Sequence, residues 1–378
     1  MNAIRFLNGR ILSPAGPLET PTTIHVSGDR ITCIDESPGD NVVDLEGGWL
    51  APGLIDVQIN GGGGALFNDA PTAETIDIIS AAHLRNGVTG YLPTLLSDEL
   101  SIIARGLDAV DEIIEAGSTQ VLGIHVEGPF ISPVRHGIHP RDNIRLLDKD
   151  AIKLLTAPRR GKVMVTLAPE CCEPDQIAAL VNAGVIVSLG HSNTSAETAK
   201  TAFALGARGV THLFNAMSPL HHREPGLVGA ALDTPSAWCG LIADGIHVDP
   251  VALRIAYRVK GADRLVLVSD AMPSVGTGAS EFLLNGRTIR ASGGKLTDEH
   301  GALAGADLTL AQAMANAVGM MRITPSEAVV MAAASPAAFL GLQNERGTIA
   351  PGRRADLVWL DAALQPRQVW LGGHRVHA

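Results

Sequence analysis

The chain has 378 residues, 46% hydrophobic, 18% charged and only 3% aromatic, so Val, Leu, Ile and Ala must fill any large core. Lys and Arg total 29 against 39 Asp and Glu, a net charge of −10 with no basic run, which argues against a nucleic-acid partner. No run of about 18 apolar residues suggests a membrane span, and Met1 to Gly9 lacks the basic-then-apolar pattern of a leader, so a cytoplasmic protein is expected. Cys33, Cys171, Cys172 and Cys239 show no Cys-x-x-Cys spacing and read as reduced thiols.

In chain order, Ile4 to Leu50 reads as short strands, with Ser27-Gly28-Asp29 as a hairpin turn. The far end, from Gly347-Thr348-Ile349 to Gln368-Val369-Trp370, reads alike. Together they predict one small β-sandwich domain built from both termini, residues 1–50 and 343–378. Between them, strand-like apolar runs end near Val57, Leu92, Val126, Leu167, Leu189, Leu213, Ala243 and Val268. Helical stretches such as Ala73–Asn86, Ser97–Ala116, Pro174–Ala183 and Ser195–Leu205 separate many of them. Eight strand–helix alternations predict an α/β fold, a (β/α)₈ TIM barrel over residues 51–342. An open doubly wound sheet is the alternative, but Gly61-Gly62-Gly63-Gly64 lacks the Gly-x-Gly-x-x-Gly spacing of a dinucleotide turn. Ser274–Gly305 reads as a loop plus hairpin, and Thr324-Pro325-Ser326-Glu327 as a capping box opening a late helix.

Catalytic residues of such barrels sit at the C-terminal ends of the strands. The third run ends His125-Val126-Glu127, the fifth Leu189-Gly190-His191, the sixth Val210-Thr211-His212, the seventh Ala243-Asp244 and the eighth Val268-Ser269-Asp270. A single strand-end His or Asp is usually a satisfied polar group or a helix cap. Five on one rim are costly to bury separately, whereas one shared ligand satisfies them together. Two imidazoles and a carboxylate, His191, His212 and Glu127, suit one divalent ion, with zinc expected and iron, manganese or cobalt open. Asp270 is placed to accept a proton from activated water. His125 fits better as a neighbour of the ligands than as one of them. Gln58 and Asn60 on the first strand are neutral amides, weak ligands that face the site without holding metal.

These residues carry a resemblance. Pro52-Gly53-Leu54-Ile55-Asp56 and Pro351-Gly352-Arg353-Arg354-Ala355-Asp356-Leu357-Val358 resemble the amidohydrolase superfamily. His125-Val126-Glu127-Gly128-Pro129, Gly190-His191-Ser192-Asn193, Thr211-His212-Leu213-Phe214-Asn215-Ala216 and Asp244-Gly245-Ile246-His247 resemble, within it, the deacetylases of N-acetylglucosamine 6-phosphate. The resemblance implies hydrolysis of a phosphorylated amino sugar's acetamide, on that substrate or its N-acetylgalactosamine epimer. A non-catalytic scaffold of the same fold is the distant alternative. It implies Glu127, His191 and His212 as metal ligands, Asp270 as acid/base and His139 as the group polarising the carbonyl. It implies substrate contacts at Ile138, His139, Asn215, Ala216, Asp244, Gly245, Ile246, His247, Leu303, Ala304 and Gly305. It further implies a homodimer in which Arg223 reaches the neighbouring subunit's site to meet the phosphate. His221 and His222 stay unassigned. Gln58 and Asn60 replace the superfamily's His-x-His, which points to one metal rather than two.

Overall fold

The computed structural model describes residues 2–12, 16–39 and 41–376. Met1, residues 13–15, Asp40, His377 and Ala378, which fall in the segments assigned to the small domain, lie outside them. Eight parallel strands follow one another in a single sheet, in chain order: Leu54–Ile59, Val88–Leu95, Gly123–Glu127, Lys162–Leu167, Ile186–Leu189, Gly209–Val210, Trp238–Leu241 and Leu265–Leu267. The last meets the first where the Asp270 N–H donates to the Gln58 carbonyl at 3.1 Å and the Asn60 N–H to that of Ala271 at 3.0 Å. The eight strands therefore close into a (β/α)₈ barrel. Nearly every strand residue is buried, because helices cover the outside and side chains fill the inside, so the strands read as continuous apolar runs.

Helix starts follow from capping chemistry. Thr72, Asp148, Ser195, Asp249 and Thr309 each accept a backbone N–H from the first turn of the following helix. The predicted capping box at Thr324 and Glu327 forms, opening the helix Pro325–Val329. That helix widens into a π turn over Val330–Ala334, just before Pro336. Proline has no N–H to give the preceding turn, which accounts for the irregularity.

Strands end earlier than the apolar runs suggested at two places. The sixth stops at Val210 and the seventh at Leu241, so His212 and Asp244 stand on irregular segments beyond them. The stretch expected to be a loop plus hairpin is a four-stranded antiparallel sheet: Glu281–Leu284, Arg287–Ser292, Lys295–Thr297 and Leu303–Ala306. Its alternating, mostly polar sequence hides a short apolar face, in which Leu284, Ile289, Leu296 and Ala304 pack with Leu66, Leu96 and Met272 of the barrel mouth.

Two further sheets draw on both ends of the chain. One joins Asn2–Leu7, Thr22–Ser27, Arg30–Asp35 and Asn41–Asp44; the other pairs Arg10–Ile11 and Trp49–Pro52 with Leu357–Leu360 and Pro366–Leu371. Ile4, Phe6, Ile24, Leu50, Leu357 and Trp370 share their core. Asp356 ties this unit to the barrel. It pairs with Arg346 at 2.9 Å and Arg354 at 3.2 Å, and accepts the Gly372 N–H at 2.8 Å. Arg346 in turn donates to the Thr119 carbonyl at 2.6 Å, on the barrel side. Removing one partner leaves the other charge buried and alone, at a cost of about 3–5 kcal/mol. Asp356→Ala is therefore expected to lose stability on that scale in urea unfolding; a loss below about 1 kcal/mol, the range of exposed pairs, would contradict this role.

Candidate active site

The rim rule places the functional side chains together. Glu127 closes the third strand, while His191, His212 and Asp270 follow the fifth, sixth and eighth by two or three residues. His191, His212 and Asp270 have φ of +47°, +32° and +52°, the left-handed region that side chains seldom occupy. Such strain costs about 1–3 kcal/mol per residue and persists where the surrounding structure enforces it. Here three strained residues turn their side chains onto one point.

The geometry is tight. Glu127 Oε1 lies 2.9 Å from His212 Nε2 and 3.3 Å from His191 Nε2, and the two imidazole nitrogens are 3.1 Å apart. His191 Nδ1 bonds to the Arg135 carbonyl at 2.9 Å, which fixes its proton there and leaves Nε2 as a lone-pair donor. Burial alone would push the Glu127 carboxyl up, but the imidazoles of His191 and His212 beside it outweigh this and hold it well below the usual range. Burial would lower His212, and Glu127 reverses that and raises it.

Gln58 Nε2 donates to both Glu127 oxygens, at 3.2 and 3.1 Å, and to Asp270 Oδ1 at 3.1 Å. Asn60 Nδ2 donates to the same Asp270 oxygen at 2.7 Å. The first-strand amides thus bridge the two carboxylates, Gln58 donating to both and Asn60 to Asp270. Burial first, then the Glu127 charge, pushes Asp270 up to about 6. The Asn60 hydrogen bond opposes this by favouring the ionised form. Asn60→Leu is therefore expected to raise the Asp270 pKa and move the acidic limb of the kcat/KM profile to higher pH; an unmoved limb would show that Asp270 does not set it.

His139 lines the same cavity. The Ser97 N–H donates to its Nδ1 at 3.1 Å, so the neutral ring carries its proton on Nε2. Burial, then His191, holds His139 well below the ordinary imidazole range, so it stays neutral and remains a donor. His125 sits deeper, with Nδ1 3.3 Å from Thr94 Oγ1 and Nε2 2.7 Å from Thr166 Oγ1, both ring nitrogens being satisfied away from the ligand cluster.

A cavity of about 390 Å³ covers the cluster, and Ile138, Asn215, Ala216, His247, Leu303 and Gly305 also line it. Asp244, Gly245, Ile246 and Ala304 do not. The Asp244 carboxylate is spent on its own loop, accepting the Ile246 and His247 N–H groups at 2.8 Å and binding His247 Nδ1 at 2.6 Å. Arg223 lies away from the cavity, donating from Nε to His222 at 3.1 Å, and lines a separate one. The rings of His221 and His222 pack 4.2 Å apart. Sequence reasoning missed Ser97 and Arg135. Ser97 follows the end of the second strand, so the rim rule applied there would have found it.

The donor set suits a divalent cation. Two imidazole nitrogens and a carboxylate oxygen lie within 3.3 Å of one another in a buried pocket, an arrangement that a shared cation satisfies. An overlapping trio also brings single ligand atoms of Glu127, His139 and His191 within 4.8 Å of one another. The shorter distances and the fixed tautomer of His139 favour the trio with His212.

A barrel of this kind with this rim belongs to a defined class. Residues 49–376 match the amidohydrolase family, and the chain is a member of it. It is 42% identical over 334 residues to N-acetylgalactosamine-6-phosphate deacetylase of Shewanella sp. (strain ANA-3), covering 88% of this chain and 84% of that one. It is 37% identical to the human N-acetylglucosamine-6-phosphate deacetylase, covering 99% and 95%. The crystal structure of the Pasteurella multocida N-acetylglucosamine-6-phosphate deacetylase superposes over all of both chains with a TM-score of 0.95 at 32% identity.

Proposed function

We propose that the chain is a metal-dependent deacetylase that hydrolyses the acetamide of N-acetylglucosamine 6-phosphate to acetate and glucosamine 6-phosphate. The observation that carries this is the convergence of Glu127, His191 and His212 with Asp270 held beside them by Gln58 and Asn60. The same chemistry on N-acetylgalactosamine 6-phosphate is the second reading, favoured by the 42% identical relative named for it. The epimers differ in the direction of one hydroxyl, and the rigid elements around the cavity do not discriminate them by chemistry alone.

Glu127, His191 and His212 would hold one divalent ion, zinc by ligand type, with iron, manganese or cobalt accepted by the same set. Bound there, such an ion lowers the pKa of water to about 7 and polarises a carbonyl. Asp270 accepts the proton of the attacking water and delivers it to the departing nitrogen. His139, a neutral donor through Nε2, hydrogen-bonds the acetamide oxygen as charge builds on it. Asn215 and the Ala216 backbone, with Leu303 and Gly305 opposite, enclose the sugar. A homodimer would let Arg223, remote from its own cavity, meet a partner's substrate. The doubly charged product and substrate suit a cytoplasmic enzyme, since neither crosses a bilayer unaided.

Acetate release from the two phosphorylated epimers and from N-acetylglucosamine tests the reading. Saturable turnover of at least one phosphorylated epimer, well above the unphosphorylated sugar, is expected. No acetate from either phosphorylated epimer would refute it.

A further inference from the structure

A sugar phosphate brings a doubly charged group into a cavity that already holds two carboxylates, Glu127 and Asp270. With the divalent ion assigned to Glu127, His191 and His212, a separate side-chain cation would balance the phosphate. Arg223 lines a different cavity of its own chain, and His247 is cationic only when protonated. Among the described residues lining the catalytic cavity, Arg135 is the one Arg or Lys.

Resting on the function proposed above, we infer that Arg135 is the chain's own phosphate anchor and selects phosphorylated over unphosphorylated sugars. Its side chain is pre-aimed. Nε donates to Asn193 Oδ1 at 2.9 Å, and the Asn193 N–H is pinned by Glu170 at 2.5 Å. No carboxylate lies within ion-pair distance of Arg135 among the described residues, so the two terminal amino groups of its planar fork remain for an anion. Its backbone carbonyl accepts from His191 Nδ1 at 2.9 Å. One residue therefore orients His191 through its carbonyl and brings a cation to the lining of the same cavity. Arg135 also lines the neighbouring cavity of about 520 Å³ that holds Arg223, so it stands on the wall between the two. The arrangement makes phosphate recognition begin within one chain, with any contribution from Arg223 added to it.

Steady-state kinetics of Arg135→Gln and Arg135→Lys, each checked for metal content and melting temperature, test this. A charge-assisted hydrogen-bond pair is worth about 10- to 100-fold. Arg135→Gln is expected to lower the ratio of kcat/KM for N-acetylglucosamine 6-phosphate over N-acetylglucosamine by that factor, mainly through KM. Inorganic phosphate should inhibit it correspondingly less, and Arg135→Lys should recover part of the ratio. An unchanged ratio, or an equal loss on both sugars, would overturn the inference while leaving the deacetylase reading intact. A wild-type chain with no preference for the phosphorylated sugar would instead defeat that reading.

Discussion

Asp270→Asn is expected to lower turnover by about 10²–10⁴-fold, the usual contribution of a positioned general acid–base, while the chain keeps its fold and metal. Asn keeps the shape and accepts a hydrogen bond, but it cannot take a proton at neutral pH. The side chain sits where Gln58 and Asn60 both donate to one oxygen, which leaves the other oxygen for water. The amide of the variant keeps this pattern by turning its oxygen to Gln58 and Asn60, which leaves an NH₂, with no lone pair able to take a proton, where the carboxylate's second oxygen stood. Rapid-quench acetate release and metal analysis on the purified variant check the expectation. A rate within tenfold of wild type would remove Asp270 from the mechanism.

The second large effect separates the two overlapping trios. His212→Asn is expected to lose the metal and with it nearly all turnover, because it removes the imidazole nitrogen that lies 2.9 Å from Glu127 Oε1. His139→Asn is expected to keep the metal and lose turnover by about 10²-fold, the cost of one donor to a developing oxyanion. Metal content per chain reads the difference directly. Metal lost on replacing His139 and kept on replacing His212 would reverse the assignment.

The alternation of apolar runs and capped helices made the barrel legible, because each strand is buried on both faces and each helix begins at a side-chain cap. The convergence was legible for the same reason: a barrel sends strand-end residues to one rim, so Glu127, His191, His212 and Asp270 could be expected to meet there. What stayed hidden depends on geometry rather than order. Nothing in the sequence shows that His191, His212 and Asp270 adopt left-handed backbone, and it is this that swings them together. Gln58 could be read as a non-ligand, but its role as a donor shared by Glu127 and Asp270 needs distances across the closed barrel. Asp244 fell in a motif suggesting substrate contact, yet its oxygens are consumed by its own loop and by His247. The antiparallel sheet over the mouth was obscured by its polarity, since only one face of each short strand packs on the barrel.

The single-metal deacetylase at the centre of this account is tested most directly by adding zinc to metal-depleted protein and following acetate release from N-acetylglucosamine 6-phosphate, and from its galacto epimer in parallel. No turnover is expected without metal, followed by a linear recovery that breaks at one equivalent per chain. Full turnover in the metal-free protein, or recovery that continues to two equivalents, would contradict it.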